Sequence, residues 1–342
     1  MSYPHHSGTR HTASSFFTMK MTLLYIVLAT VMMTCGGKGQ STQETSTSTE
    51  TTTQNDRHNT PFDGQAALAL AKQQCDFGPR VPATPAHAKC AEWLTTTLQE
   101  SCDTVIVQQG NVTTGQGKSL GIKNIIGIIN PDAEQRLLLL AHWDTRPWAD
   151  NDPDPANHSK PVIGANDGAS GVAVLLQLAR QLKAEGTTLG IDILLVDAED
   201  MGITDNEESW GLGTQYWTRN PHVVGYKPLF GILLDMVGDP DATFTREYYS
   251  AQYGGGFVDL VWKNAAGNHF INAQGGAVTD DHVFINNAGI PCIDIIDLRS
   301  NSESGFCPVW HTIDDTMSHL SASTLAEVGQ TLINVIATLE QQ

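Results

Sequence analysis

The chain has 342 residues, of which 40% are hydrophobic, so it is long enough to bury a substantial core. Its 37 acidic residues outnumber its 19 Lys and Arg residues and give a net charge of −18, with no basic cluster. This charge argues against nucleic acid or anionic lipid as the main partner and leaves neutral or cationic small substrates open.

The N-terminal segment has the pattern of an export signal. Lys20 precedes an apolar run at 21–33, which is shorter than the ~20 residues that span a bilayer. Thr34 and Cys35 follow, and a cysteine at this place resembles the lipobox cysteine of bacterial lipoproteins, which is lipidated. We therefore expect residues 1–35 to be a lipoprotein-type export segment that places the protein in a bacterial periplasm, anchored to a membrane by lipid on Cys35. A cleaved plain signal peptide and an uncleaved anchor are the alternatives.

Residues 36–60 are rich in Ser, Thr and Gln and contain almost nothing apolar, so we expect a disordered tether there. No comparable linker and no repeat follow, which predicts a single catalytic domain at 61–342. The cysteines of that range are Cys75, Cys90, Cys102, Cys292 and Cys307. A disulfide between Cys292 and Cys307 and free buried thiols are both open.

Apolar residues at helical spacing predict helices at 63–75, 86–101, 169–184 and 322–339. Short continuous apolar runs, which are typical of strands covered on both faces, lie at 122–129, 136–142, 191–196, 229–235 and 290–296. Strands of this kind need a helix layer on each side of their sheet. The chain is therefore predicted to be an α/β protein with three layers, in which helices flank a central mixed, mostly parallel sheet.

Polar side chains lie at the ends of these predicted strands. In such sheets the ligand site lies beyond the carboxyl ends of the strands. The residues and segments in question are His142, Asp144, Glu199, Asp200, Asp235, 279–284 and 310–315. We expect them to meet at one rim of the sheet.

Three residues, Asp167, Asp200 and His311, form a ligand set that zinc accepts. Taken singly, Asp167 in its glycine-rich turn is typical of a helix N-cap, Asp200 beside Glu199 of a capping acid pair, and His311 of a buried core histidine. Together they would supply two carboxylates and one imidazole, a set that suits zinc better than calcium and leaves a fourth position for water or substrate. A cation there would also offset the repulsion between Glu199 and Asp200.

The run Asp280, Asp281, His282 is either a solvated turn or the start of a helix. Near a zinc, side-by-side acids of this kind could also share a proton, with one of them held neutral. Trp210 and Trp310 are either core aromatics or, near the rim, walls of a pocket.

Seven segments occur in an order that is known from one superfamily. They are FGPRVPATPAH (77–87), HWDTR (142–146), GANDGASG (164–171), DAED (197–200), LLDMVG (233–238), DDHVFINNAGIP (280–291) and VWHTIDD (309–315). The ordered set resembles the zinc aminopeptidase-like superfamily, and within it the glutaminyl cyclase branch of animal-type enzymes and their bacterial relatives. The resemblance covers nearly all of 61–342 and implies the fold of that superfamily.

Two positions favour the cyclase branch over the aminopeptidases. The aminopeptidases usually have Ser at the position of Asp280 and Tyr at the position of Trp310. Two other positions depart from the family pattern: Asp200 stands where Glu is usual, and Asp294 stands where the animal enzymes carry His.

The resemblance implies one zinc per chain, bound by Asp167, Asp200 and His311. His142 and Asp235, which resemble second-zinc ligands of the peptidases, are also present, so the metal count stays a prediction.

The resemblance also implies catalytic roles. Glu199 takes the place of the general acid/base, and Asp280 and Asp235 match the acids that form a hydrogen-bond network with it. Trp310 and Trp210 would line the substrate pocket.

The implied reaction converts an N-terminal glutamine to pyroglutamate and releases ammonia. A zinc-dependent aminopeptidase of the same superfamily is the alternative, and a catalytically inactive, lipid-tethered binding protein is the third reading. The expected partners are peptides or proteins with N-terminal Gln, with no nucleic acid, and a membrane only through a lipid or signal anchor. We expect a monomer.

Overall fold

The structure is a computed structural model that describes residues 58–342. The predicted export segment at 1–35, with Cys35, and the tether up to residue 57 lie outside the described residues. His58 packs on the domain, with Nε2 3.2 Å from Glu340 Oε2 and Nδ1 3.5 Å from Glu185 Oε2. Residues 58–60, which the sequence assigns to the tether, are therefore part of the folded unit. From residue 58 onward, every helix is too short or too polar to cross a bilayer.

A six-stranded mixed sheet forms the centre of the fold. The described residues form these six strands and two further ones: β1 (Thr104–Thr113), β2 (Ser119–Ile129), β3 (Arg136–His142), β4 (Gly190–Val196), β5 (Gly231–Asp235), β6 (Phe244–Arg246), β7 (Phe270–Gln274) and β8 (Cys292–Ile296). The order in the main sheet is β1-β2-β4-β3-β5-β8, and β6 pairs with β7 in a separate parallel ribbon. Strands β3, β4, β5 and β8 run parallel to one another, and β2 runs antiparallel to both of its neighbours, β1 and β4. The predicted mixed, mostly parallel sheet is confirmed.

Helices cover both faces of this sheet. They are α1 (Gly64–Cys75), α2 (Pro85–Gln99), α3 (Ala169–Glu185), α4 (Leu212–Arg219), α5 (Tyr248–Tyr253), α6 (Gly256–Lys263), α7 (Asp281–Asn287) and α8 (Ala322–Leu339). Leu137 and Leu139 of β3 join the core that contains α1, α3 and α8, whereas Leu138 and Leu140 pack with Trp217 of α4 on the other face. Because alternate residues of one strand are buried in two cores, the strand reads as a continuous apolar run. The three-layer prediction is confirmed.

The carboxyl ends of the parallel strands meet at one edge, and the backbone is strained there. Ala198, Met236 and His311 adopt positive φ angles of 55°, 49° and 55°. Non-glycine residues rarely adopt this conformation, and where they do the surroundings hold them in it, often at functional sites. Ala198 precedes Glu199, Met236 follows Asp235, and His311 is itself a predicted site residue. The strained backbone therefore lies at the predicted site, after β4, after β5 and before α8.

The cysteines of the described range are all free. Cys292 lies in β8 and Cys307 in the loop after it, and both are buried. The structure therefore supports free thiols at Cys292 and Cys307 and not a disulfide between them.

Candidate active site

Asp167, Asp200 and His311, which we call the rim cluster, lie together at the edge of the sheet. One ligand atom from each falls within 4.8 Å of the others. His311 Nε2 is 3.2 Å from Asp200 Oδ1 and 3.5 Å from Asp167 Oδ2. Asp200 Oδ2 is buried without a hydrogen-bond partner in the described chain. A buried carboxylate oxygen of this kind needs a partner, and these donors are of the types that zinc prefers, so the residues fit a zinc ion.

Two carboxylates outside the rim cluster fix the backbone of its loops. Asp144 Oδ1 and Oδ2 accept hydrogen bonds from the amides of Glu199 and Asp200, at 3.1 and 3.2 Å. Asp315 Oδ2 accepts one from the amide of Asp167 at 3.0 Å. The ligand loops are therefore held in place by the protein itself.

His311 is oriented by an acid and by tryptophans. Its Nδ1 lies 3.3 Å from Asp150 Oδ1. A carboxylate on the second ring nitrogen is the usual outer partner of a metal-binding histidine. The rings of Trp310 and Trp210 stack on the imidazole with centroids at 3.8 and 6.1 Å.

Sequence reasoning missed Asp150 and Asp315 as functional residues. Asp315 belongs to the motif VWHTIDD that it did single out, and Asp150 lies four residues after the motif HWDTR. Acidic residues close in sequence to predicted metal ligands were visible, but sequence spacing alone does not show that Asp150 reaches the His311 ring or that Asp315 accepts the Asp167 amide.

The turn before α3 excludes the N-cap alternative for Asp167. The N-cap residue is Gly168, and no side chain caps the helix. Gly168 has a φ of 102°, and a Cβ there would lie 2.5 Å from the Asp144 carbonyl oxygen. Glycine is needed at this close approach, which frees the Asp167 side chain to face the rim.

A second group, which we call the bridging cluster, consists of His142, Asp167 and Asp235. His142 Nε2 lies 3.0 Å from Asp167 Oδ1 and 3.2 Å from Asp235 Oδ1. Burial lowers the pKa of His142, but its hydrogen bonds with Asp144, Asp167 and Asp235 outweigh burial and raise the pKa well above its ordinary value. The bridging cluster shares Asp167 with the rim cluster, and its two carboxylates both contact the His142 imidazole directly.

A third group, the inner cluster, consists of Asp280, His282 and Asp294. His282 Nε2 is 3.0 Å from Glu247 Oε2, and its Nδ1 is 3.4 Å from Asp294 Oδ2. Burial, followed by the charge of Asp280, raises the pKa of Asp294 well above its ordinary value. Asp280 is the N-cap of α7 and accepts the amide of Asp281, so the run starts a helix, as one of the two sequence alternatives had it.

A cavity of about 170 Å³ opens beside the rim cluster. The predicted site residues that line it are Asp167, Glu199, Trp210, Asp235, Asp280, Trp310 and His311. The rest of its lining consists of Met236, Val278, Thr279, Ile296 and Phe306. Asp200 does not line this cavity and contacts it through His311. The structure thus brings the predicted catalytic, pocket and metal residues to one place.

The acids of the pocket retain protons more strongly than free carboxyl groups do. Burial, followed by the charge of Asp280, raises the pKa of Glu199 well above its ordinary range. Burial and the charge of Asp235 raise the pKa of Asp280 to about 7. Burial raises the pKa of Asp235 to about 6. Carboxyl groups with pKa values in this region suit proton transfer near neutral pH.

Comparisons with known proteins agree with the motif-based resemblance. Residues 124–336 match Peptidase family M28. The crystal structure of Bacteroides thetaiotaomicron glutaminyl cyclase bound to N-acetylhistamine is 47% identical, covers 81% of this chain and 98% of that chain, and has a TM-score of 0.79. A structure titled as a leucine aminopeptidase precursor from Bacteroides thetaiotaomicron VPI-5482 is 46% identical over 81% of this chain and 98% of that chain, with a TM-score of 0.78.

A curated relative is more distant. Bovine glutaminyl-peptide cyclotransferase is 24% identical over 242 residues, which are 61% of this chain and 64% of the bovine protein, so the chain spans slightly less than two thirds of that relative. The family match, in contrast, extends over more than half of the chain. The chain therefore belongs to peptidase family M28.

Proposed function

We propose that this chain is a zinc-dependent glutaminyl-peptide cyclotransferase, which converts an N-terminal glutamine of peptides or proteins to pyroglutamate and releases ammonia. The observation that carries the proposal is the pairing of Glu199 with Asp280 in a small pocket between Trp210 and Trp310. Two structures at 46–47% identity are described as a glutaminyl cyclase and as a leucine aminopeptidase precursor, so overall similarity alone does not choose between the two activities. Asp280 and Trp310 of the pocket favour the cyclase, because the aminopeptidases usually have Ser and Tyr at these positions.

Asp167, Asp200 and His311 would hold the zinc. When bound there, a zinc ion supplies a Lewis acid for the side-chain carbonyl of the glutamine. We propose one ion per chain, at the rim cluster, because Asp167 and His311 line the pocket and Asp200 Oδ2 is buried without a partner in the described residues. Metal analysis of the purified chain checks this count.

Glu199 would move the proton in this reaction. The neutral α-amine attacks the side-chain amide carbon, the new C–N bond closes the lactam, and the bond from that carbon to the amide nitrogen breaks. Glu199 accepts the proton that the amine loses and gives it to the leaving nitrogen, which departs as ammonia. Burial and the charge of Asp280 raise the pKa of Glu199, which favours its acceptance of that proton.

The other residues of the pocket hold the substrate in the reactive conformation. Asp280 would orient the amine and the leaving group, and burial together with the charge of Asp235 raises the pKa of Asp280 to about 7. Trp210 and Trp310 would fold the glutamine back on itself, so that an attack within one molecule replaces an encounter between two. No external water enters the reaction, which suits a cavity of about 170 Å³ with apolar walls.

The rival function in this family, a zinc aminopeptidase, would use the same acids to activate water. The test is an assay with glutaminyl aminomethylcoumarin that records ammonia and free dye together. A cyclase releases ammonia and leaves the dye attached. Rapid release of dye from the leucyl conjugate, without ammonia from the glutaminyl one, would contradict the proposal.

We also propose that the protein is exported and lipid-anchored through Cys35, on the basis of the sequence at 20–35. Metabolic labelling with a fatty acid, with Cys35→Ser as the control, tests this. Label in the wild type and none in the variant is the expected result, and equal labelling of both contradicts the anchor.

A further inference from the structure

A second, larger cavity adjoins the pocket that contains Glu199. We call it the outer groove; it lies between two segments, 271–277 from β7 onward and 298–306 after β8. Thr243 and Thr245 of the β6 region complete its lining. The residues of β7 beyond Phe270 are exposed, so the groove is open to solvent along this side.

The outer groove and the pocket lie side by side. Phe306 lines both cavities. Ala277 lines the groove, and the next residue, Val278, lines the pocket. The ring of Phe306 packs on that of Trp310, with centroids 4.3 Å apart, so the shared wall belongs to the aromatic wall of the pocket.

The sizes of the cavities fit different parts of a peptide. The pocket encloses about 170 Å³, and the outer groove about 690 Å³. Ligand sites usually enclose about 300–1,000 Å³, so the pocket suits a single side chain and the groove suits a longer piece of chain. A peptide whose first residue fills the pocket would reach the outer groove by passing Phe306, which lines both cavities.

The chemistry of the two cavities also differs. The pocket is lined by Asp167, Glu199, Asp235 and Asp280, whereas no acidic residue lines the outer groove. The charged residue of the groove lining, Arg299, is 2.7 Å from Asp297 and 2.6 Å from Asp239, so its charge is compensated.

Glycines give the groove a bare backbone on one side. Gly275 and Gly276 lie next to each other in its lining, and a Cβ on Gly276 would meet nothing within 4 Å. The Gly275 amide donates to the Arg246 carbonyl and the Gly276 carbonyl accepts from the Tyr248 amide, so these glycines offer a peptide open space without side chains.

We propose that the outer groove is the subsite for the residues that follow the N-terminal glutamine, and that it favours extended, uncharged segments of peptide over single-residue amides. The inference rests on the proposed function and adds to it a preference for substrate length.

The first experiment compares Gln-Gly amide with an uncharged pentapeptide amide, Gln-Gly-Ala-Ala-Gly, by ammonia release. We expect kcat/KM to be about tenfold higher for the pentapeptide, mostly through a lower KM, since a gain of ~1.4 kcal/mol in binding is a factor of ten.

The second experiment fills the groove. Gly276→Phe should abolish the advantage of the pentapeptide and leave kcat/KM for the dipeptide within twofold of wild type. Ala273→Trp, at an exposed position of the same lining, repeats the test should Gly276→Phe fold poorly. The matched control is Gly256→Phe, because Gly256 is also open around its Cβ but lies in α6, outside both cavities.

Equal kcat/KM for the two peptides in the wild type, or an equal loss with both in Gly276→Phe, would overturn the groove assignment. Absence of ammonia from every glutaminyl peptide would instead count against the proposed function. In that case, calorimetric titration of the zinc-loaded chain with the same peptides still decides the groove, since tighter binding of the pentapeptide that Gly276→Phe removes is the expected result and equal binding overturns it.

Discussion

The rim cluster and the inner cluster contain the same kinds of donor, two carboxylates and one imidazole within 4.8 Å, and all are buried. They differ in access and in what surrounds them. The rim cluster borders the pocket through Asp167 and His311, whereas His282 and Asp294 of the inner cluster do not line it. Arg146 Nη1 lies 3.4 Å from Asp200 Oδ1, so a fixed cation offsets part of the negative charge at the rim.

In the inner cluster, burial and neighbouring acids favour the protonated forms of the carboxyl groups. The pKa of Asp294 is raised well above its usual range by burial and by Asp280, and the pKa of Asp280 is raised to about 7. At the rim, in contrast, Asp144, Asp150 and Asp315 hold the ligands from outside. The comparison teaches that donor count alone does not define a metal site: two residues of the rim cluster, Asp167 and His311, line the pocket, whereas only Asp280 of the inner cluster does.

The largest expected effect comes from Asp200→Asn. The change removes a charged ligand from the rim, so we expect loss of bound zinc and a fall in kcat/KM of more than about 100-fold, because changes to outer partners alone cost about 10–100-fold. Added zinc should raise the Tm of the wild type and not that of the variant. Full zinc content in the variant would break the assignment of the rim.

Glu199→Gln separates chemistry from metal binding. We expect kcat to fall by about 10²–10⁴-fold, the usual contribution of a general acid/base, while zinc content stays at the wild-type level. Steady-state kinetics and metal analysis on the same preparation measure both. Unchanged turnover would remove Glu199 from the mechanism.

Asp150→Asn tests the outer partner of His311. Zinc affinity should weaken by about 10–100-fold, with kcat at saturating zinc close to wild type. A competition titration with a zinc chelator measures this. Asp154→Asn is the matched control, since Asp154 is exposed and caps a short turn of the same loop. Equal effects of the two changes would show that Asp150 acts only on the loop.

Asp235→Asn tests the electrostatics of the pocket. The charge of Asp235 is, after burial, the main cause that raises the pKa of Asp280, and removal of a like charge lowers an acid's pKa. The acidic limb of the kcat profile, which reports the acids of the pocket together, should therefore move to lower pH. A limb that stays in place or moves upward would contradict this account.

The smallest effect is expected from Asp294→Asn. Because burial and the charge of Asp280 favour the protonated form of Asp294, an uncharged isostere should keep kcat/KM close to wild type and leave zinc content unchanged. Loss of zinc from this variant would mean that the inner cluster is itself a metal site.

Much of this fold was predictable, because its main strands are buried on both faces. The strands at the centre appear as unbroken apolar runs, and all four predicted helices lie within two residues of the observed ones. β1 was missed because its residues alternate between exposed and half-buried, as expected of an edge strand. α4 was missed, and α7 was foreseen only as an alternative to a turn, because helices of eight and seven residues give little periodicity.

The candidate site was predictable where a residue belongs to a motif, and less so where its role depends on contacts across the fold. Asp167, Asp200 and His311 came from ordered motifs. Glu247, which contacts His282, and Asp150, which contacts His311, come from other loops, and only tertiary packing reveals their partners. The acids at Asp200 and Asp294, which depart from the family pattern, still lie in the rim and inner clusters.

The most direct test of the central claim is mass spectrometry of a peptide with N-terminal glutamine, incubated with the zinc-loaded chain in water enriched in the heavy oxygen isotope. The account predicts a product that is lighter by one ammonia and carries no solvent oxygen, because the peptide's own amine is the nucleophile. A product that has lost its first residue, or that has gained heavy oxygen, would contradict it.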